Sequence, residues 1–346
     1  MTAQISFADS SAGEILSWSR RTVDTALRGA VAQLPGSIGR VARYHFGWCD
    51  QAGRPLPGSG SGKSIRPALV LLSAEAVGGD PEAAVPAAVA VELVHNFTLL
   101  HDDVLDHDRL RRHRPTAWAV FGVAEAILAG DALLALALEH LARSGTASGA
   151  VAAEWLARCV VELCQGQSLD ISFERRDDVE MDECLAMAAG KTGALLGCAC
   201  ALGGLAAGGD SRQTRLLRDL GHHLGLAFQL VDDLLGIWGD PAVTGKPAHS
   251  DLASRKKSLP VVAALTSGGT AGQDLAALFG QPGELTADEL RRAAGLVERS
   301  GAREWARHRA AHEVWLAGEC LTAVDCQGDV AAGVDALAHM VMSRDH

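Results

Sequence analysis

Aromatic residues are scarce in this chain, making up 4% of its 346 residues, and Tyr44 is the single tyrosine. Ala and Leu dominate the 48% that is hydrophobic. Sheets favour β-branched and aromatic side chains, so an apolar set this small and straight-chained points to packed helices. No stretch alternates apolar and polar residues with the strict period of two expected of a strand. Positive charge is also in the minority, with 31 Lys and Arg against 42 Asp and Glu and a net charge of −11. Broad contact with nucleic acid is thereby excluded, because phosphate backbones need a basic face. An acidic chain can still take phosphorylated ligands when metal ions bridge its carboxylates to them.

Other absences narrow the field further. The eight cysteines (49, 159, 164, 184, 198, 200, 320 and 326) form no CxxC pair. Nor do they repeat with a spacing that suggests zinc or a disulfide framework. They read as small buried hydrophobes of a reducing cytoplasm. Residues 1–19 contain Asp9 and Glu14 and lack a basic segment followed by an apolar core, so no signal peptide is expected. The uncharged run from Thr192 to Gly209 is too rich in Gly and Ala for a membrane span. It reads as a buried helix ending in a Gly-rich turn. A soluble, cytoplasmic protein with no stable membrane insertion is expected, and no G-x-S-x-G elbow suggests a serine nucleophile.

What is present is helical punctuation. Residues 12–47 predict one or two amphipathic helices broken near Pro35, and 50–62 is a Gly- and Pro-rich loop. Apolar-periodic segments then fall at about 66–78, 83–106, 117–144, 148–170, 179–207 and 211–238. A polar loop over 239–257 leads to shorter helices up to about 342. No linker or internal repeat divides the chain, so one large all-α domain over residues 1–346 is expected.

Two acidic clusters carry the chemistry. In the first, Asp102-Asp103-Val104-Leu105-Asp106 follows the apolar stretch Val89 to Leu100. On a helix, Asp102 and Asp106 share a face at i and i+4, with Cβ atoms about 6 Å apart. Such a pair repels unless a hard divalent cation lies between, and Mg²⁺ takes carboxylate oxygens together with ligand phosphate. The second cluster, Asp232-Asp233, also stands at the end of an apolar segment. A single such cluster reads more simply as a solvated helix end. Two of one design, each followed by basic residues, point to carboxylates facing one another across a cavity with metal between them. Arg111 and Arg112 follow the first, and Lys246, Arg255, Lys256 and Lys257 follow the second. Lys63 and Arg66 stand after the Gly-rich loop, and Lys191-Thr192 opens a helix. Around metal-loaded carboxylates these cations would neutralise diphosphate oxygens, Arg as a planar fork and Lys as a point charge.

The ordered series resembles the trans-isoprenyl diphosphate synthases, the polyprenyl synthetase family. Gly62-Lys63-Ser64-Ile65-Arg66-Pro67 is similar to its GKxxRP motif. Asp102 to Asp106 with Arg111-Arg112 resembles its first aspartate-rich motif, and Pro115-Thr116 follows in place. Gly130-Asp131, Gln167, Lys191-Thr192 and Phe228-Gln229-x-x-Asp232-Asp233 match in order. Gly245-Lys246-Pro247 and Asp251 through Lys256 to Pro260 complete the match over about residues 60–262. Residues 1–60 and 263–346 are the flanking helical parts of such a domain.

The resemblance implies a single large helical bundle of the isoprenoid synthase type with a central cavity, usually a homodimer. It implies Mg²⁺, three ions bound with substrate, on Asp102, Asp106 and Asp232, with Asp103 and Asp233 supporting. Arg111, Lys191, Lys246 and Lys256 would hold an allylic diphosphate (dimethylallyl, geranyl or farnesyl), helped by Thr192 and Gln229. Lys63, Arg66, His95 and Arg112 would hold isopentenyl diphosphate. The implied reaction is ionisation, condensation and elimination.

One position departs from the pattern. The second motif usually reads DDxxD, and here Gly236 stands where its last aspartate belongs. Asp232, Gly236 and Asp240 also echo the second metal motif of class I terpene cyclases, which leaves a cyclase as the alternative. Against it, Lys63, Arg66, His95 and Arg112 serve chiefly a second diphosphate substrate, which a cyclase lacks. In the family, bulk just upstream of the first motif sets product length. Phe97 lies about 7.5 Å before Asp102 along a helix. With small Thr98 beside it, the pattern resembles synthases of C15 to C20 products, geranylgeranyl diphosphate in particular. A helical wheel instead turns Thr98 and Val91 toward the Asp102 face. His101, His107 and His113 flank the first motif, but their spacing fits no compact metal site.

Overall fold

The computed structural model describes residues 7–8, 10–56, 64–145, 148–241, 247–326 and 329–343. Lys63 and Lys246, with Gly62 and Gly245 beside them, lie outside the described residues. Helices α1 (Ala12–Val31), α2 (Gly36–His45), α3 (Ile65–Ala76), α4 (Val85–Leu105), α5 (Ala117–Phe121) and α6 (Val123–Ala142) come first. They are followed by α7 (Gly149–Phe173), α8 (Met181–Ala188), α9 (Ala194–Ala206), α10 (Ser211–Trp238) and α11 (Ser250–Ala253). The last are α12 (Leu259–Leu265), α13 (Thr270–Phe279), α14 (Ala287–Arg299), α15 (Ala302–Val324) and α16 (Val330–Met342). A five-residue π-helical segment, Ala189–Gly193, joins α8 to α9. Strands among the described residues amount to one hairpin, β1 (Leu110–Arg111) antiparallel to β2 (Arg114–Pro115).

The periodic segments read from sequence coincide with these helices, with three corrections. The polar loop contains α11. The tail contains α15, 23 residues long, where only shorter helices were expected. And the Asp232-Asp233 pair lies inside α10, which spans the expected segment 211–238, and not at its end.

Two compact units divide the chain. The first comprises Met1–Val160, Cys198–Arg218 and Leu321–Leu337. Its α1 begins with a capping box: Ser11 Oγ accepts from Glu14 N, and the Glu14 carboxylate accepts from Ser11 N at 2.8 Å. Pro35 caps α2 in extended conformation, the break the sequence predicted. At the centre is α4, buried without interruption from Ala87 to Val94. A helix apolar all round must be enclosed, and α1, α3 and α6 pack on it. Contact with α6 is close because residue 130 is Gly: a Cβ there would stand 2.4 Å from His101 Nε2.

The second unit comprises Val161–Gly197, Asp219–Cys320 and Ala338–His346. Its core gathers Ile237 and Leu252 with Val261, Leu275, Leu278, Leu296 and Val297 from α12, α13 and α14. A second capping box, Thr286 with Glu289, starts α14.

Two stretches, Pro81–Leu105 and Met181–Ala206, are long and apolar enough to cross a membrane, yet 72% and 67% of their most apolar windows are buried. That is the character of core helices. Five cysteines are buried as expected; Cys164 is exposed, and Cys320 and Cys326 are half-buried.

Candidate active site

In the first unit, Asp102 and Asp106 are linked through the backbone, Asp106 N donating to Asp102 O at 2.8 Å as α4 ends. Asp106 is exposed and Asp102 half-buried, whereas Asp103 points inward and is 1% exposed. The chain then folds back. Arg112 and His113 both take positive φ, 52° and 61°, the geometry a two-residue hairpin turn demands and non-glycine residues resist. Tyr44 pins the hairpin by donating to Pro115 O at 2.8 Å, and the Arg114 guanidinium lies 4.7 Å over its ring. The result is that Arg111 Nε donates to Asp103 Oδ1 at 2.7 Å. Burial pushes the Asp103 carboxyl up to about 6 in spite of that partner. Its second oxygen, Oδ2, is buried with no hydrogen-bond donor among the described residues.

Along α4, Arg66 Nη1 and His95 Nε2 are 3.2 Å apart. Burial, then the charges of Arg66, Arg112 and Arg111, hold the His95 imidazole neutral, well below its ordinary range. One turn away, buried Glu92 accepts from Asn96 Nδ2 at 3.1 Å. Phe97 is buried with its ring edge to His101, and Thr98 donates back to His95 O at 2.8 Å. His101 meets α6 at Ile127 O, 3.1 Å away, and stands 3.6 Å from Asp131 Oδ1.

In the second unit, Asp232 is exposed and Asp233 is 2% exposed. Asp233 Oδ1 accepts from Gln229 Nε2 at 2.8 Å, and Oδ2 from Leu259 N, the first amide of α12, at 2.9 Å. Burial pushes its carboxyl up to about 7, with the Lys256 charge opposing and Asp251 adding to the rise. Gln229 Oε1 in turn accepts from Thr192 Oγ1 at 2.6 Å. Thr192 belongs to the π segment, which lies against α7 at Gly166, where a Cβ would stand 2.4 Å from Lys191 N. π segments are frequent at functional sites; this one turns Lys191 toward α7, where Nζ donates to Asp170 Oδ2 at 2.5 Å. Burial would raise the Asp170 carboxyl, but the Lys191 and Lys256 charges outweigh it and hold it low.

Three groups of sequence-identified residues come together, each within one unit: Thr192, Gln229 and Asp233; Asp103 and Arg111; Arg66 and His95. Two expected cations are engaged elsewhere. Arg255 donates to Gln281 O and Gly283 O, each at 2.7 Å, and Lys257 is buried beside Phe279. Sequence reasoning missed Asp170, Glu92 and Asn96. Asp170 follows Gln167 by three residues and Glu92 precedes His95 by three, so helical spacing from a motif residue was the available signal. A cavity of about 270 Å³ in the second unit, lined by Glu162, Gly166, Gly190 and His222 among others, touches none of the predicted site residues.

No three of His, Cys, Asp and Glu among the described residues cluster closely enough to hold a metal ion unaided. Mg²⁺ needs no such cage, since it takes one or two carboxylates and completes its shell with water and substrate phosphate. Carboxylate oxygens, such as those of Asp102 and Asp106 in the first unit and of Asp232 in the second, are the donor type that ion takes.

The polyprenyl synthetase family model matches residues 51–295. The chain is 46% identical over 333 residues to a Mycobacterium tuberculosis protein named (2E,6E)-farnesyl diphosphate synthase, covering 95% of this chain and 92% of that one. It is 49% identical over 290 residues to the geranylgeranyl diphosphate synthase of the same organism, covering 83% and 82%. The crystal structure of a polyprenyl synthetase from Streptomyces coelicolor superposes with a TM-score of 0.89 at 49% identity, covering 95% of this chain and 98% of that one. The chain belongs to the polyprenyl synthetase family, and it is a prenyltransferase with the all-α isoprenoid synthase fold.

Proposed function

We propose that this enzyme joins isopentenyl diphosphate head to tail to dimethylallyl, geranyl or farnesyl diphosphate, giving a linear all-trans farnesyl (C15) or geranylgeranyl (C20) diphosphate. The observation that carries the reading is shared by both acidic pairs: the first aspartate is accessible and the second is buried behind it. That is the arrangement of carboxylates set out to take a ligand on a rigid backing. Relatives named farnesyl and geranylgeranyl diphosphate synthase support it, and nothing in them favours a cyclase.

In this reading Asp102, Asp106 and Asp232 hold Mg²⁺, three ions with substrate present, and Asp103 and Asp233 fix their helices. Bound Mg²⁺ neutralises charge growing on the departing diphosphate. Lys191, Lys246, Lys256 and Arg111 bind the allylic diphosphate, with Thr192 and Gln229 accepting or donating beside it. Asp170 aims Lys191 through the bond to its Nζ. Lys63, Arg66, His95 and Arg112 bind isopentenyl diphosphate, whose alkene attacks the allylic cation before a proton is lost. These donors act on charge as it develops, and no protein nucleophile is required. Phe97 and Thr98 set product length. The whole chain works as one synthase domain, as a homodimer in the cytoplasm, with no part in nucleic-acid binding or stable membrane insertion.

Purified protein, Mg²⁺, labelled isopentenyl diphosphate and each allylic diphosphate in turn test this. A linear labelled diphosphate is expected, and its length is read directly. Hydrocarbon formed equally well without isopentenyl diphosphate would overturn the reading.

A further inference from the structure

One buried acid beside the sequence-identified residues has no task in the reaction as read above. Glu92 lies on α4, one turn before His95 and Asn96, and is 5% exposed. Asn96 Nδ2 donates to Glu92 O at 2.8 Å and to Glu92 Oε1 at 3.1 Å. With Nδ2 so engaged, Asn96 Oδ1 is the atom that accepts from His45 of α2. A carboxyl this deep loses the water that favours its charged form. Burial accordingly pushes the Glu92 carboxyl up, and the Arg66 charge, the Asn96 hydrogen bond and the Arg112 charge oppose the rise.

The opposing charges are the ones a ligand would claim. Arg66 comes from α3 and Arg112 from the hairpin turn, and Arg66 Nη1 is 3.2 Å from His95 Nε2. Arg66 and His95 are half-buried and Arg112 is exposed, so the group has an open side. Burial, and after it arginine charge, holds both imidazoles neutral. Arg111, Arg112 and Arg114 act on His45, and Arg66, Arg112 and Arg111 act on His95. Fixed positive charge thus faces the Glu92 carboxylate. A diphosphate seated on Arg66 and Arg112 brings more negative charge than that carboxylate holds. It screens the two guanidiniums from Glu92 and repels the Glu92 charge, and both changes favour the neutral acid.

Resting on the reading of Arg66, His95 and Arg112 as the isopentenyl diphosphate subsite, we infer that Glu92 is a placeholder for that diphosphate: charged in the empty subsite, it takes up one proton from the buffer as the diphosphate binds. A buffer acid gives the proton to a Glu92 carboxylate oxygen, no other bond changes, and release of the diphosphate returns it. Glu92 is thus a positioning residue that keeps Arg66 and Arg112 balanced until substrate replaces it. Affinity is then linked to pH. Below the raised value that Glu92 has in the empty subsite, the acid is already protonated and pH has no such effect. Above it, each unit of pH weakens binding by up to about tenfold. His45 and His95 are poorer acceptors, being held far below neutrality.

The test titrates wild type, Glu92→Gln and His45→Gln with isopentenyl diphosphate between pH 6 and pH 9, without divalent metal. Calorimetry in non-phosphate buffers of different ionisation enthalpy counts the protons. Wild type and His45→Gln should each take up about one proton more than Glu92→Gln, and wild-type affinity should fall with pH relative to Glu92→Gln by on the order of tenfold. Gln has the shape of the protonated acid and can still accept from Asn96, so Glu92→Gln should bind at least as tightly as the wild type at high pH. Infrared difference spectra should show the C=O stretch of a newly protonated carboxyl when the wild type binds. Glu92→Gln should lack that band, and Glu92→Asp should shift it, which keeps the assignment testable even if Glu92→Gln fails to fold. Equal proton counts in wild type and Glu92→Gln, or uptake lost in His45→Gln alone, would overturn the inference while leaving the synthase reading intact. A wild type that neither binds isopentenyl diphosphate nor elongates any allylic diphosphate would overturn that reading, and this inference with it.

Discussion

The two acidic pairs share a plan and differ in how they carry it out. Each exposes its first aspartate more than its second and buries the second almost completely. Asp103 is answered by a cation, Arg111, delivered by a strained hairpin. Asp233 is answered by two neutral donors, an amide side chain and the first N–H of α12. A buried carboxylate facing a guanidinium depends on that one partner, since losing it strands a charge in a poor solvent. One facing amide donors strands no charge when it becomes Asn, and the Asn Nδ2 finds an acceptor once the Gln229 amide turns over. The same dipeptide thus makes one site that is electrostatically tight and another that is a hydrogen-bond relay, from Asp233 through Gln229 to Thr192.

The largest expected effect separates exposed from buried acids. Asp102→Ala and Asp232→Ala should each lower kcat on the order of 10³-fold, with unfolding free energy changed by no more than about 0.5 kcal/mol. Steady-state kinetics and urea unfolding on the same preparations decide it. If either exposed acid proves mainly structural, the shared plan fails. Next, Asp103→Ala should cost about 3 kcal/mol by leaving Arg111 without its buried partner, and Asp233→Asn about 1 kcal/mol. Equal losses in urea unfolding would erase the contrast between the pairs.

A smaller effect tests the relay. Gly166→Ala places a methyl 2.4 Å from Lys191 N, and the π segment must move away from α7 to accept it. We expect a loss of about 2 kcal/mol together with a raised KM for the allylic diphosphate and an unchanged KM for isopentenyl diphosphate. A shift in both KM values would mean that Lys191 and Thr192 do not belong to one substrate alone.

These contrasts also mark what the sequence made legible. Helix positions were readable because Ala- and Leu-rich faces repeat with a helical period, and the turn at Pro35 carries its own punctuation; of the loop expected at 50–62, residues 57–62 lie outside the described residues. The length of α15 was hidden, since Arg303, Glu304, Arg307 and Arg309 crowd its apolar positions. The hairpin was invisible because its strands are two residues each. Within the site, Asp102, Asp103, Asp232 and Asp233 stood out as pairs, and the resemblance implied that the first of each binds and the second supports; how deeply the second is buried followed only from packing. Asp170 is a lone acid in a polar stretch, and only the π segment brings Lys191 to it. Asp251 could be quoted as part of a motif, yet nothing in the spacing shows that its carboxylate lies against Gly236.

The smallest effect is one of acidity and belongs to the first region. His45, half-buried on α2, is held at about 3 by burial and by the charges of Arg111 and Arg112, with an Asn96 hydrogen bond and Arg114 making smaller contributions of opposite sign. It is neutral in the folded protein and takes up a proton near 6.5 when unfolded. The unfolded state therefore binds more protons between those values. Its contribution to stability is complete above pH 6.5 and is lost as pH falls toward 3. At pH 5 the loss should be about 1 kcal/mol, since partial exposure screens part of the shift. His45→Gln removes the titration, so its stability relative to the wild type should improve by that amount between pH 7.5 and pH 5 in urea unfolding. A difference independent of pH would mean that His45 does not feel the arginine pair. The electrostatic tightness assigned to the first region would then reduce to the single bond between Asp103 and Arg111.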